Sequence, residues 1–191
     1  FVQEKNPWPT VTGRQQYYID HDWFLDYGEE LPTYKEPVEG QDTDEYPLRY
    51  ITPHGRWHIH STWRDDKYML RLNRGEPVVY LHPRDAERRD IEDGDTVRIH
   101  NENDEIKAQA KIYPSSEEGT VRMNFSWERY QFESRGNFNT LTSMMMKPTQ
   151  LVQYPEDSGE HLHFFPNFWG PTGVNSDLHV EVEKDEAGGD T

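Results

Sequence analysis

The chain has 191 residues, enough for one domain of ordinary size, and its 36 acidic against 20 basic residues leave a net charge of −16. That balance argues against nucleic acid and anionic membrane surfaces as partners, since both are bound by clustered Lys and Arg. No cysteine is present, which removes disulfides, zinc–thiolate sites, iron–sulfur clusters and thiol catalysis from this stretch. No apolar run approaches the roughly 20 residues of a spanning helix, and no targeting signal is visible. Because residue 1 is Phe rather than Met, the expectation is a processed product or a piece of a larger protein.

Hydrophobic residues make up only 32% of the chain, yet 13% is aromatic, which a disordered acidic chain would not carry. Lys occurs seven times against thirteen Arg. An acidic surface poor in Lys over an aromatic core fits a protein of concentrated salt, where the Debye length falls to about 3 Å at 1 M and like-charge repulsion is screened. An acidic protein of ordinary salt is the alternative.

Residues 1–45 carry Pro7, Pro9, Pro32 and Pro37 and read as an extended lead-in, with one short helix begun by Asp20, His21 and Asp22 and stopped by Gly28. From Tyr46 the pattern predicts strands at Leu48–Ile51, Val78–Leu81, Thr96–His100, Ile106–Ile112, Thr120–Asn124 and Leu178–Val182, each bounded by turn formers. Ile106, Ala108, Ala110 and Ile112 alternate with Lys107, Gln109 and Lys111, the mark of a strand with one buried face. Helical pieces are predicted at Arg64–Leu72 and Pro83–Arg89. Residues 125–176 are rich in Asn, Gly, Pro and aromatics, an irregular run of the kind that is functional or packed on a partner. Residues 46–184 thus read as one mainly β domain, a closed barrel of six or seven strands with two or three short helices and long irregular loops. Residues 185–191 read as a disordered tail.

The chemistry is concentrated in the stretch Thr52-Pro53-His54-Gly55-Arg56-Trp57-His58-Ile59-His60-Ser61-Thr62-Trp63-Arg64. Imidazoles, hydroxyls, a guanidinium and flat aromatic faces suit a polar heterocycle carrying phosphates. Two other readings stand beside that one. His58 and His60 are two apart, as are His161 and His163, so a strand would aim each pair to one side as in a metal site, although no motif supplies a carboxylate ligand. Alternatively, these are hydrogen-bonding histidines of a polar linker.

From His60-Ser61-Thr62-Trp63-Arg64-Asp65 and Met69-Leu70-Arg71-Leu72-Asn73-Arg74-Gly75-Glu76-Pro77, the chain resembles the C-terminal domain of molybdopterin oxidoreductases of the dimethyl sulfoxide reductase superfamily, nitrate reductase alpha-chain branch. The likeness runs on through His82-Pro83-Arg84-Asp85-Ala86, Gly94-Asp95-Thr96-Val97, Lys147-Pro148-Thr149, Asn167-Phe168-Trp169-Gly170 and Asn175-Ser176-Asp177, and upstream through Thr12-Gly13-Arg14-Gln15-Gln16.

The resemblance implies a double-psi β-barrel that helps hold a molybdenum bis(molybdopterin guanine dinucleotide) cofactor for oxygen-atom transfer. By that likeness His54 and His60 lie near the pterin rings, with His58 pointing elsewhere. Ser61 and Thr62 form a hydroxyl pair at the start of the next helix, and Asn139 and Thr142 belong to a second cofactor-facing loop. Asn167 and Asn175 are further polar contacts, and Arg56, Trp57 and Trp63 complete the cofactor-binding set. Two departures from the family pattern stand out. Asp90 occupies a position where relatives often have Gly and must supply any left-handed geometry, and Phe125 and Ser126 stand where many relatives have a His. The Asp that ligates the metal in this branch, and the iron–sulfur cysteines, lie upstream in the full subunit. The implied partners are therefore the rest of a catalytic subunit, an iron–sulfur electron-transfer subunit and a membrane anchor, with the parent held at the outer face of a membrane. No catalytic residue or metal ligand is expected in this chain, and no tightly bound cofactor in the isolated piece. A respiratory reductase of nitrate or dimethyl sulfoxide is the first expectation. A freestanding barrel that binds or interacts without redox function is the alternative.

Overall fold

The structure is a computed structural model that describes residues 2–8, 13–34, 44–57, 59–60, 62–125, 127–142, 168–169, 172–173 and 178–186. The chain divides into two compact units, one of residues 1–36 and 144–173, the other of residues 37–143 and 174–191.

The second unit is built on strands β1 (Leu48–Ile51), β2 (Val78–Leu81), β3 (Thr96–His100), β4 (Glu105–Ile112), β5 (Thr120–Met123) and β8 (Leu178–Lys184). They close into a barrel in the order β1-β5-β2-β4-β3-β8. Two parallel pairs, β1 with β5 and β2 with β4, are joined through the antiparallel β2–β5 contact, the interlocked double-psi arrangement. Strand β8 closes the ring by pairing antiparallel with both β1 and β3.

The period-2 pattern explains the core. Leu48 and Tyr50, Val79 and Leu81, Val97 and Ile99, Ile106, Ala108 and Ala110, Val121 and Met123, and Leu178, Val180 and Val182 are all buried in one cluster. Outward neighbours are charged and interlocked. Arg98 on β3 reaches Glu105 on β4 at 3.1 Å and also Glu183 on β8, while Lys107 meets Asp185 at 2.7 Å and Lys184 meets Asp95 at 2.9 Å.

Two helices sit in the barrel crossovers, α2 (Lys67–Leu72) and α3 (Pro83–Glu87). The sequence predicted α2 from Arg64, but it begins three residues later. Asp66 caps it by accepting from the backbone of Tyr68 at 2.9 Å and Met69 at 3.0 Å, and Trp63, at φ +72°, breaks any helix upstream. His82 caps α3, with Pro83 in its first turn. Asp90, just beyond it, adopts φ +53°, the left-handed geometry expected of that position.

The described part of the irregular run is packed on its own barrel. Trp127, Phe132 and Leu141 are buried in the core cluster, and Leu141 accepts from Asn101 at 2.7 Å and Asn103 at 3.1 Å. Residues Arg129–Gln131 form one 3-10 turn.

In the first unit, helix α1 (Asp22–Asp26) is capped by His21 and buries Phe24, close to its predicted bounds. A two-stranded hairpin pairs β6 (Phe168–Trp169) with β7 (Thr172–Gly173), a regular element that the sequence did not announce.

Candidate cofactor-binding site

Because β1 and β5 run parallel, their C-terminal ends open on the same end of the barrel. The loops that leave them, 52–66 and 124–142, carry most of the residues singled out from the sequence. The two exits are tied at once: Phe125 donates its backbone N–H to the carbonyl of Pro53 at 3.1 Å.

On this frame His54 and His60 come together. Their ring centroids are 5.2 Å apart and nearly perpendicular, at 79°. Five residues of loop separate them, so spacing alone could not place them side by side; a turn does. Thr62 donates its backbone N–H to the carbonyl of Ile59 at 2.8 Å across an isolated bridge, and His60 takes φ +48° at the bend. A non-Gly residue in that region costs of order 1–3 kcal/mol, which the surrounding contacts must offset. Both imidazoles are exposed, and neither hydrogen-bonds to the protein among the described residues.

The far side of the loop is stapled to the β5 exit. Arg64 pairs with Glu128 at 2.7 Å, Tyr130 donates its hydroxyl to Asp65, and Gln131 donates to the carbonyl of Arg64 at 3.4 Å. The hydrogen bond to Asp65 holds the Tyr130 phenol above its ordinary range. Glu128 and Gln131 form a reciprocal capping box that fixes their own turn. No sequence signal announced this staple.

The remaining predicted residues fall as follows. Arg56 lies over the Trp57 ring at 5.1 Å, a cation–π contact worth about 0.5–1 kcal/mol at an exposed site. Trp57 and Trp63 are 41% and 56% exposed, so neither ring is spent on the core. Thr62 does not stand at a helix start as the resemblance implied. It lies in the bridge to Ile59, four residues before the Asp66 cap. Asn139 is exposed, and its carboxamide has no hydrogen-bond partner among the described residues. Thr142 uses its hydroxyl within its own loop, donating to the Asn139 carbonyl at 2.6 Å. Ser61, Asn167 and Asn175, and also His58, lie outside the described residues. Among the described residues no group of three His, Asp or Glu could hold a metal ion.

Phe125 completes the site. Its ring is 4.4 Å from that of His54 and 5.3 Å from that of His60, and 6.4 Å from Phe138, the neighbour of Asn139. Sequence reasoning marked the position only as the loss of a histidine.

The donor set can be weighed against a phosphate-bearing heterocycle. In a chain of net charge −16, residues 52–63 contain no carboxylate, while they hold one Arg and three His. An acceptor-rich ligand meets neutral and cationic donors along that stretch, and of the carboxylates further along the two loops Asp65 accepts from Tyr130, Asp66 caps α2 and Glu128 pairs with Arg64. These residues fit such a group.

A closed double-psi barrel whose open end gathers two loops rich in polar donors and exposed aromatic rings defines a binding domain for a nucleotide-bearing cofactor. The chain belongs to the molydopterin dinucleotide binding domain family, whose model matches residues 48–153. It is 70% identical over 190 residues to the respiratory nitrate reductase subunit alpha of Haloferax mediterranei, covering 100% of this chain and 19% of that one. It is 40% identical over 184 residues to the perchlorate reductase subunit alpha of Dechloromonas aromatica, covering 96% and 19%. The fold matches the acetylene hydratase of Pelobacter acetylenicus with a TM-score of 0.62 at 19% identity, over 91% of this chain and 24% of that one. The chain thus spans about a fifth of the length of these curated relatives.

Proposed function

We propose that this chain is the cofactor-covering domain of the catalytic subunit of a respiratory nitrate reductase. The observation that carries the choice of substrate is the 70% identity, across the whole chain, to a nitrate reductase alpha subunit, against 40% to a perchlorate reductase. When bound, the molybdenum bis(molybdopterin guanine dinucleotide) cofactor supplies the two-electron chemistry that takes nitrate to nitrite and water.

The chain's own part is to bind and orient. His54, His60 and Asn139 offer hydrogen bonds to the heteroatoms of the rings, and each carries both donor and acceptor capacity. Arg56 offers charge to phosphate, and the exposed faces of Trp57 and Trp63 cover flat surface and exclude water. The rest of the catalytic subunit would supply the opposite wall. An iron–sulfur subunit delivering electrons, and membrane association through partner subunits on the outer face, belong to the same proposal.

The test uses the full-length subunit purified with its partners. It is expected to contain pterin dinucleotide and molybdenum and to form nitrite from nitrate. His60→Ala is expected to lower pterin content and activity together, with His58→Ala doing much less. A loaded enzyme that reduces perchlorate or dimethyl sulfoxide but not nitrate would overturn the substrate assignment. The isolated 191-residue chain, lacking the opposite wall, is expected to hold molybdenum below one-to-one.

A further inference from the structure

We propose that Phe125 is the positioning residue that sets His54 and His60 as a pair and keeps their ring nitrogens free for the ligand. The inference rests on the reading of this barrel end as a pterin dinucleotide site. Two loops far apart in sequence meet on one benzene ring: from the first, His54 at 4.4 Å and 71° and His60 at 5.3 Å and 45°, and from the ring's own loop Phe138, beside Asn139, at 6.4 Å. The backbone of Phe125 is fixed by its bond to the carbonyl of Pro53, the residue before His54.

A benzene ring neither donates nor accepts a conventional hydrogen bond. A His, Ser or Asn in its place would spend imidazole nitrogens on itself; Phe holds the rings by aromatic contact alone, edge-to-face with His54 and tilted against His60. Both imidazoles accordingly stand without protein hydrogen bonds among the described residues. Nor is Phe125 part of the general core. It is half-buried and lies outside the barrel's apolar cluster, against which Phe138 does pack. Its nearest ring contacts are the two histidines, one of which, His60, sits at a strained φ of +48° that needs external support.

Two variants separate the role of the flat ring from that of bulk: Phe125→Leu keeps apolar volume, and Phe125→Tyr keeps the ring. Two readouts are taken. In the full-length subunit, pterin dinucleotide content is measured by release and fluorescence. In NMR spectra of the 191-residue chain, the imidazole signals of His54 and His60 are compared with those of His82 and His100, which lie elsewhere. Phe125→Leu is expected to weaken pterin retention roughly two- to tenfold, the range of one aromatic pair. It should also move the His54 and His60 signals while His82 and His100 stay in place. Phe125→Tyr is expected to restore both. Retention in Phe125→Leu equal to wild type, an equal loss in Leu and Tyr, or unmoved His54 and His60 signals would overturn the positioning role. A wild-type subunit free of pterin dinucleotide would instead overturn the binding reading on which this one stands.

Discussion

Gly119 donates its backbone N–H to the Asp85 carboxylate at 2.7 Å, across 34 residues of sequence, and Asp85 is 1% exposed. The same carboxylate takes Arg88 at 3.1 Å. One buried acid therefore locks helix α3 to the turn that launches β5, the strand whose exit builds the candidate site. Asp85→Ala leaves the Gly119 N–H unpaired and is expected to cost about 1–3 kcal/mol. Asp85→Asn, which keeps an acceptor, should cost less. Urea midpoints of the two variants check the order.

Gly136 is buried beneath the second loop. A Cβ there would come within 2.9 Å of Ile106 Cγ2 and 3.3 Å of Thr140 Oγ1. Ile106 is fully buried in the barrel and has nowhere to retreat. Gly136→Ala is expected to destabilise by about 1–3 kcal/mol through overpacking. It should also loosen the loop that carries Phe138 and Asn139. Gly75 offers the contrast, with open space around it but φ +87°, so Gly75→Ala should cost only about 1 kcal/mol, from the backbone. Thermal melts of both variants distinguish a steric from a conformational cost.

The carboxylates on the barrel's outer face set a pH dependence. The Arg98 hydrogen bond holds Glu183 below its ordinary range, the Lys111 hydrogen bond does the same for Asp93, and the backbone N–H of Glu92, then Lys184, does so for Asp95. With pKa values depressed in the folded state, these groups bind fewer protons folded than unfolded. Their contribution is present above about pH 4.3 and is lost as pH falls through the folded values. Denaturant midpoints are expected to fall on acidification through that window, and Glu183→Gln should flatten the slope. A midpoint that rises on acidification would contradict it.

Salt pulls the surface two ways. Ion pairs such as Lys111–Asp93 and Arg84–Glu118 weaken when screened, but exposed pairs are worth only about 0–1 kcal/mol each. Net self-repulsion at −16 acts on the whole chain and is screened by the same ions. Thermal midpoints are expected to rise from low to molar potassium chloride. A flat or falling curve would remove the salt-adaptation argument, which the likeness to a Haloferax protein supports.

The barrel was legible because its strands are amphipathic locally. Ile106, Ala108 and Ala110, and Val180 and Val182, show their buried face in a few residues of text. The left-handed geometry of Asp90 was legible only through the family likeness, in which Gly often holds that position. The site was legible in parts only. Family likeness singled out His54 and His60, but their meeting depends on a bend at His60 and on a ring 65 residues further on, and no local pattern encodes a contact of that range. The start of α2 was misplaced because the Ser61–Thr62 pair reads as a helix start, while Asp66 supplies the cap and Trp63 leaves helical space.

The closure of the barrel through β8 has a consequence for synthesis on the ribosome. Strand β1 emerges at residue 48, but its neighbours begin at residues 120 and 178. At roughly 5–20 residues per second, both edges of β1 stay open for several seconds. Contacts of such separation also make for slow folding. During that interval Leu48 and Tyr50 are solvent-facing and the loop bearing His54 has no wall behind it. The newborn chain is therefore most prone to aggregate, and its cofactor end unformed, until the segment around Val180 has left the exit tunnel.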